Sequence, residues 1–238
     1  AAKTAAMAEE RRRAIAGDGD AVTVFNTVGR TRDDIVCLGS FDAEALTDGD
    51  GALYPVQKTK DGSIAYVTNL PSKGYKSYRA AKAAQTSEPF ILSGDYELDT
   101  PFYRVKFDGQ GMFMSLYDKE NDREVIQPGK RANLMRMYED KPIYYDNWDI
   151  DIYYTEKYWD IEDVTQMEWT EMGPVRAALE ITRKESHSTI RQKIFFYAHS
   201  RRIEFATHVD WQEHQTLLKV HFPLAVHTDE ATFDVQFG

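Results

Sequence analysis

The chain has 238 residues, 42% of them hydrophobic and 13% aromatic, with a formal net charge of −10. That length holds one large β domain or two small ones, and the acidic balance repels phosphate backbones, which argues against nucleic acid as a partner. The lone cysteine, Cys37, excludes an internal disulfide. No run approaches the ~18 apolar residues of a membrane span, so no membrane partner and a cytoplasmic setting are expected.

Residues 1–16 predict a helix: many Ala, then Glu9-Glu10-Arg11-Arg12-Arg13, stopped by Gly17-Asp18-Gly19-Asp20. It lacks the apolar core of a signal peptide. With little apolar surface beyond Met7 and Ile15 it is marginal alone, and it reads as the end of a helical bundle. From Val22 the pattern turns to period two. Strands are predicted at 22–25 and 35–38, the second with Cys37 in the core. Residues 43–51 read as an acidic turn region. A hairpin pairs 53–58 with 63–67 across Asp61-Gly62. Residues 72–87, rich in Ala, Lys and Ser, read as a connection between sheets.

A meander follows at 102–107, 112–117 and 123–126, with turns at Asp108-Gly109-Gln110-Gly111 and 118–122. Further strands are predicted at 176–184, 188–198, 201–210 and 217–223. Alternation in 203–209 implies one wet and one dry face. Many strands with one initial helix predict an all-β, antiparallel β-sandwich. The expected organisation is 1–19 as the bundle end, 20–90 as a small β subdomain or outer strands, and 91–238 as the main sandwich. A start at Ala1 and an end at Phe237-Gly238 in a strand pattern are expected to mark a piece of a longer protein, its sandwich truncated at the C-terminus.

No G-x-S-x-G elbow and no Gly-rich phosphate loop occur, so no catalytic residue is assigned. The histidines, His187, His199, His208, His214, His221 and His227, read as structural. His208 and His214 flank Asp210 and Glu213, but nothing in the spacing shows metal ligands converging, so no metal ligand is assigned. Trp211 reads as a packing residue at a sheet corner. The densest polar and aromatic run is 138–151. On an extended strand Tyr145, Asn147, Asp149 and Asp151 share one face, and Asp146, Trp148 and Ile150 the other. Rings stack on the apolar face of a pyranose, and carboxylates accept from its hydroxyls. The same run equally fits a loop anchored by its aromatics with its acids in water.

Several segments together resemble glycoside hydrolase family 38 α-mannosidases. They are Phe25-Asn26-Thr27-Val28-Gly29-Arg30-Thr31-Arg32, Phe102-Tyr103-Arg104-Val105, and Gly111-Met112-Phe113-Met114-Ser115-Leu116-Tyr117-Asp118-Lys119. Asp122-Arg123-Glu124-Val125, Asp140-Lys141-Pro142, Tyr145-Asp146-x-Trp148-Asp149-x-Asp151, Gly173-Pro174-Val175-Arg176 and Val209-Asp210-Trp211-x-Glu213 follow in order. The 145–151 stretch resembles the bacterial and cytosolic or vacuolar branch. The resemblance implies a sandwich of the supersandwich, galactose-mutarotase-like type. It also implies a parent enzyme, a retaining exo-α-mannosidase, in which a separate barrel carries zinc, an aspartate nucleophile and the acid/base, and a helical bundle follows that barrel. The sandwich would then lend Tyr145, Asp146, Trp148, Asp149 and Asp151 to the rim of the site. Its partners would be an α-mannoside, the barrel, the bundle and a second copy at an exposed strand edge; no cofactor is expected within this piece, which alone should be inactive. Two rivals are a free-standing carbohydrate-binding module and a mutarotase-like enzyme using His208 and Glu204.

Overall fold

The computed structural model describes residues 2–17, 19–82, 88–146 and 148–235. Asp18 of the expected helix stop, 83–87 of the expected connection, Asn147 of the aromatic run and the strand end at 236–238 lie outside the described residues. The chain divides into two compact units. The first comprises 1–89 with 171–177 and 197–200; the second comprises 90–170, 178–196 and 201–238. No helix among the described residues is long and apolar enough to cross a membrane.

The first unit holds α1 (Ala2–Ala16), β1 (Val22–Asn26), β2 (Arg32–Gly39), β3 (Ala45–Thr47), β4 (Leu53–Thr59), β5 (Gly62–Leu70) and β6 (Gly74–Ala81). The strands form one sheet in the order β1-β6-β3-β4-β5-β2. Its core gathers Leu46, Tyr54, Ala65, Val67, Leu70 and Tyr78. Three expectations are corrected. The acidic turn at 43–51 contains β3, whose Ala45 and Leu46 are buried. The supposed connection contains β6, paired with both β1 and β3. Cys37 is exposed rather than buried, because Val36 and Leu38 on either side of it pack on the core and the period of two turns Cys37 to the other face.

Two polar side chains organise this unit. Buried Asn26 donates to the carbonyls of Arg30, Leu70 and Pro71 at 2.8, 3.2 and 3.0 Å and accepts from the Val28 amide. It thereby holds two loops together. Buried Asp48 accepts from the amides of Asp50 and Ala52, from the Tyr54 hydroxyl at 2.8 Å, and from Lys76 Nζ at 2.6 Å. Lys76 first, then Tyr54 and the backbone, hold its carboxyl well below the usual range despite burial.

The second unit holds β7 (Ile91–Gly94), β8 (Glu97–Asp99), β9 (Tyr103–Phe107), β10 (Phe113–Asp118), β11 (Arg123–Glu124), β12 (Leu134–Glu139) and β13 (Tyr158–Asp160). It also holds most of β14 (Val164–Met172), β15 (Arg176–Glu185) and β16 (Ser188–Tyr197), and all of β17 (Ile203–Asp210) and β18 (Thr216–His221). The sheets run β11-β10-β9-β8-β7, β13-β12-β18 and β14-β15-β16-β17. The first is the expected meander.

Aromatic packing makes the sandwich. Phe107 and Phe113 of the meander meet Trp169, Phe196 and Phe205 of the four-stranded sheet, with ring centroids 6.0–6.3 Å apart. Met135 and Met137 of β12 pack with Ile161 and Ile190. A buried amide pair, Asn133 and Gln192, joins the same layers at 2.7 Å. The second unit is thus an antiparallel β-sandwich, and the described residues are nearly all β, with one α-helix, α1, at the start. The turn 108–111 is fixed by Asp108 Oδ1, which accepts from the amides of Gln110 and Met112 at 2.9 Å. Gly111 sits there at φ +72° against Ile181 and the buried Arg183. The alternation expected in β17 fails from Ala206 to Asp210, where residues on both faces are exposed.

Candidate functional site

Strand β12 reads Leu134-Met135-Arg136-Met137-Tyr138-Glu139, and period two sends its methionines to the core. Leu134, Arg136 and Tyr138 therefore take the outer face. The register sets Arg136 opposite Asp160 and Lys219, Tyr138 opposite Tyr158 and Leu217, and Leu134 opposite His221. Residues directly opposite share a face, so Arg136, Tyr138, Tyr158, Asp160, Lys219 and His221 gather on one surface.

These groups are interlocked. Arg136 Nε and Nη2 lie 2.6 and 3.2 Å from the two Asp160 oxygens, and the guanidinium carbon is 4.0 Å from the centre of the Tyr158 ring. The Tyr138 hydroxyl is 2.7 Å from His221 Nε2. Burial, then the positive charge of Arg136, pushes the His221 imidazole below its ordinary pKa, which favours the neutral ring. A turn of 3-10 helix, Ile152–Glu156, covers part of this face. Its Tyr154 ring stands edge-on to Tyr138 at 5.1 Å, bonds Lys219 through its hydroxyl, and lies 4.1 Å from the Lys219 ammonium.

That turn continues a loop carrying all five rim candidates. The described residues of 145–151 form no strand, so of the two readings left open by the sequence the extended, two-faced one does not hold. Tyr145 has φ +55°, and its carbonyl accepts from the amides of Trp148 and Asp149 at 2.8 and 3.0 Å. This single coil swings the side chains out of register. Asp151 Oδ2 accepts from the Ile143 amide at 2.8 Å and closes the loop. Tyr145 is 75% and Trp148 86% exposed; Asp146 and Asp149 are also exposed. Tyr144, Tyr145 and Trp148 thus put three rings of one loop into solvent.

Two cavities border the face. One, of about 340 Å³, is lined by Glu139, Lys141, Asp151, Tyr153, Tyr154 and Lys157. Of the five candidates only Asp151 reaches it. Lys141 and then Lys157, bonded to Glu139 at 2.6 and 3.0 Å, hold that carboxyl below its usual range. Glu139 is therefore ionised and unsuited to act as a general acid. The second cavity, of about 460 Å³, lies by Leu134, Arg136, Asp160 and His221. Its residues were missed in the sequence because His221 carries no motif. The signal was the spacing of Arg136, Tyr138, Lys219 and His221, two apart within each strand.

The other candidates disperse. Glu213 accepts from the His187 amide and the Ser188 hydroxyl at 2.9 and 2.8 Å, tying down the turn before β16. Trp211 packs on the Met135–Ile190 cluster. His208 is exposed, and Glu204 is bonded to Arg202 at 2.9 Å. Four residues along a strand separate them by roughly 13 Å, too far to act on one substrate atom. Among the described residues no three His, Cys, Asp or Glu side chains gather to hold a metal. The resemblance places zinc in a separate barrel, and the described residues of this chain offer no set of ligands for it.

Most of the family-like segments have structural tasks. Asn26 holds two loops. Asp118 accepts from Asn121 and Arg201, and Lys119 bonds Asp99 and the Thr100 carbonyl. In the first unit Arg176 forms a two-pronged pair with Glu171, and Gln57 accepts from the amides of Val175 and Arg176. The 144–149 stretch differs, since its rings project into solvent.

Comparisons agree with the geometry. Residues 98–238 match the family model described as the glycosyl hydrolases family 38 C-terminal domain. The chain is 31% identical over 185 residues to alpha-mannosidase 2C1 of Homo sapiens, covering 74% of this chain and 18% of that protein. It is 30% identical over 185 residues to alpha-mannosidase 2C1 of Mus musculus, with the same coverage, and 30% over 152 residues to alpha-mannosidase G of Dictyostelium discoideum, covering 61% and 14%. The chain thus spans less than a fifth of the length of these relatives. It belongs to glycosyl hydrolase family 38, and its second unit is built from that family's C-terminal domain.

Proposed function

We propose that this chain is the supporting and site-rimming sandwich of a retaining, zinc-dependent exo-α-mannosidase, whose metal, nucleophile and acid/base lie in a separate catalytic domain. The substrate of the whole enzyme is a terminal α-mannoside. The observation that carries this reading is the loop 143–151. It holds Trp148 and Tyr145 out from the sandwich, yet it is closed by Asp151 and continues into a turn locked on Tyr138. Exposed rings on a braced loop suit stacking on a pyranose. The relatives carry the name alpha-mannosidase, and a single cysteine fits a cytoplasmic setting. The outer strands β17 and β18 offer edges on which a second copy would pair.

The test is direct. The purified chain, given a chromogenic α-mannoside, should release no product. Release at an enzyme-like rate would overturn the reading of this chain as a non-catalytic support.

A further inference from the structure

The outer face of β12 carries a second place for a sugar, beyond the loop. Its cavity, about 460 Å³, falls within the range of small-ligand sites. Its polar groups are held before any ligand arrives. Arg136 is fixed by two bonds to Asp160 and by the Tyr158 ring beneath it. Those contacts leave guanidinium N–H groups unspent, since the group has five. His221 is fixed through Nε2 by the Tyr138 hydroxyl, which leaves Nδ1 for a ligand. Fixing donors in advance lowers the entropic cost of binding.

Three cations line this cavity, and two are matched: Arg136 by Asp160, and Arg131 by Glu162 and Asp108; Lys130 is the third. The matched guanidinium groups offer directional N–H donors to a neutral polyol. Leu134 and the 43%-exposed Phe222 supply the apolar surface that a pyranose ring needs. The face also runs on towards the loop. Tyr138 bonds His221 on one side and meets Tyr154, from the turn that follows the loop, on the other.

We propose that the cavity at Arg136, His221 and Phe222 is a saccharide subsite, taking a neutral sugar of the aglycone while the 143–151 loop meets another residue of the same glycan. The proposal rests on the mannoside reading above and extends it from a terminal sugar to an oligosaccharide.

The test follows side-chain NMR signals of this chain, the His221 imidazole and the Trp148 indole, during titration with α-mannobiose to roughly 50 mM. Movement of the His221 signals, with about ten-fold weaker binding in Arg136→Gln, supports the proposal. Phe222→Ala, at an exposed position, guards against a folding defect and should weaken binding several-fold. Movement of Trp148 alone overturns the subsite and leaves the loop reading standing. A response of His221 to inorganic phosphate but not to mannobiose overturns it in favour of an anion. No response of His221 to either overturns it outright.

Discussion

Tyr154 stands edge-on to Tyr138, ring centroids 5.1 Å apart and planes at 76°, so the turn that follows the loop is pinned to the sheet beneath it. Tyr138 is buried although it lies on the outer face, because Tyr154, Tyr158 and His221 surround it. Removing the Tyr154 ring should free the loop. Tyr154→Ala is expected to cost ~1–2 kcal/mol and to speed proteolysis within 143–151. Tyr154→Phe keeps the ring and should lose less than half of that. Urea unfolding with limited proteolysis of both variants checks this.

Gly111 and Gly109 share a turn but not an environment. A Cβ at Gly111 would lie 2.5 Å from Ile181 Cδ1, at φ +72°, whereas at Gly109 it would meet nothing within 4 Å. Gly111→Ala is expected to destabilise by ~2–4 kcal/mol, and Gly109→Ala by less than ~1 kcal/mol. Equilibrium unfolding of the pair measures the difference.

Asn26 donates to three carbonyls from a site closed to water. Asn26→Asp replaces the donor with an acceptor facing those oxygens. It should destabilise the first unit by at least ~3 kcal/mol, more than Asn26→Ala. Thermal unfolding at neutral pH ranks the two.

Asp48 links the first unit to pH. Its folded pKa is depressed, chiefly by Lys76, so the unfolded carboxyl binds a proton at higher pH than the folded one. The stabilisation is therefore full above the unfolded value near ~4 and is lost as pH falls below it towards the folded value. Asp48→Asn should destabilise clearly at pH 7, with the gap to the parent chain narrowing below pH ~4. Urea midpoints at several pH values test the sign.

Much of this architecture is legible in the residues, and the failures have physical causes. The meander is readable because Asp108-Gly109-Gln110-Gly111 and Asp118 are turn formers placed between alternating runs. Strand β6 escapes because Gly74–Ala81 buries only Tyr78, so the period-two signal is nearly absent. Strand β12 escapes because Met, Leu and Arg favour helices, and only its neighbours make it a strand. The rim candidates are chosen by composition, but their faces are not, because one left-handed residue, Tyr145, coils the loop. His221 is invisible as a site residue until β18 is laid beside β12.

The proposed contact of the 143–151 loop with a mannoside is tested most directly by kcat/KM of the full-length protein with Trp148→Ala, the fold being checked by an unchanged thermal midpoint. A fall of about ten-fold or more on a mannoside substrate is predicted. An unchanged kcat/KM in a folded variant would contradict it.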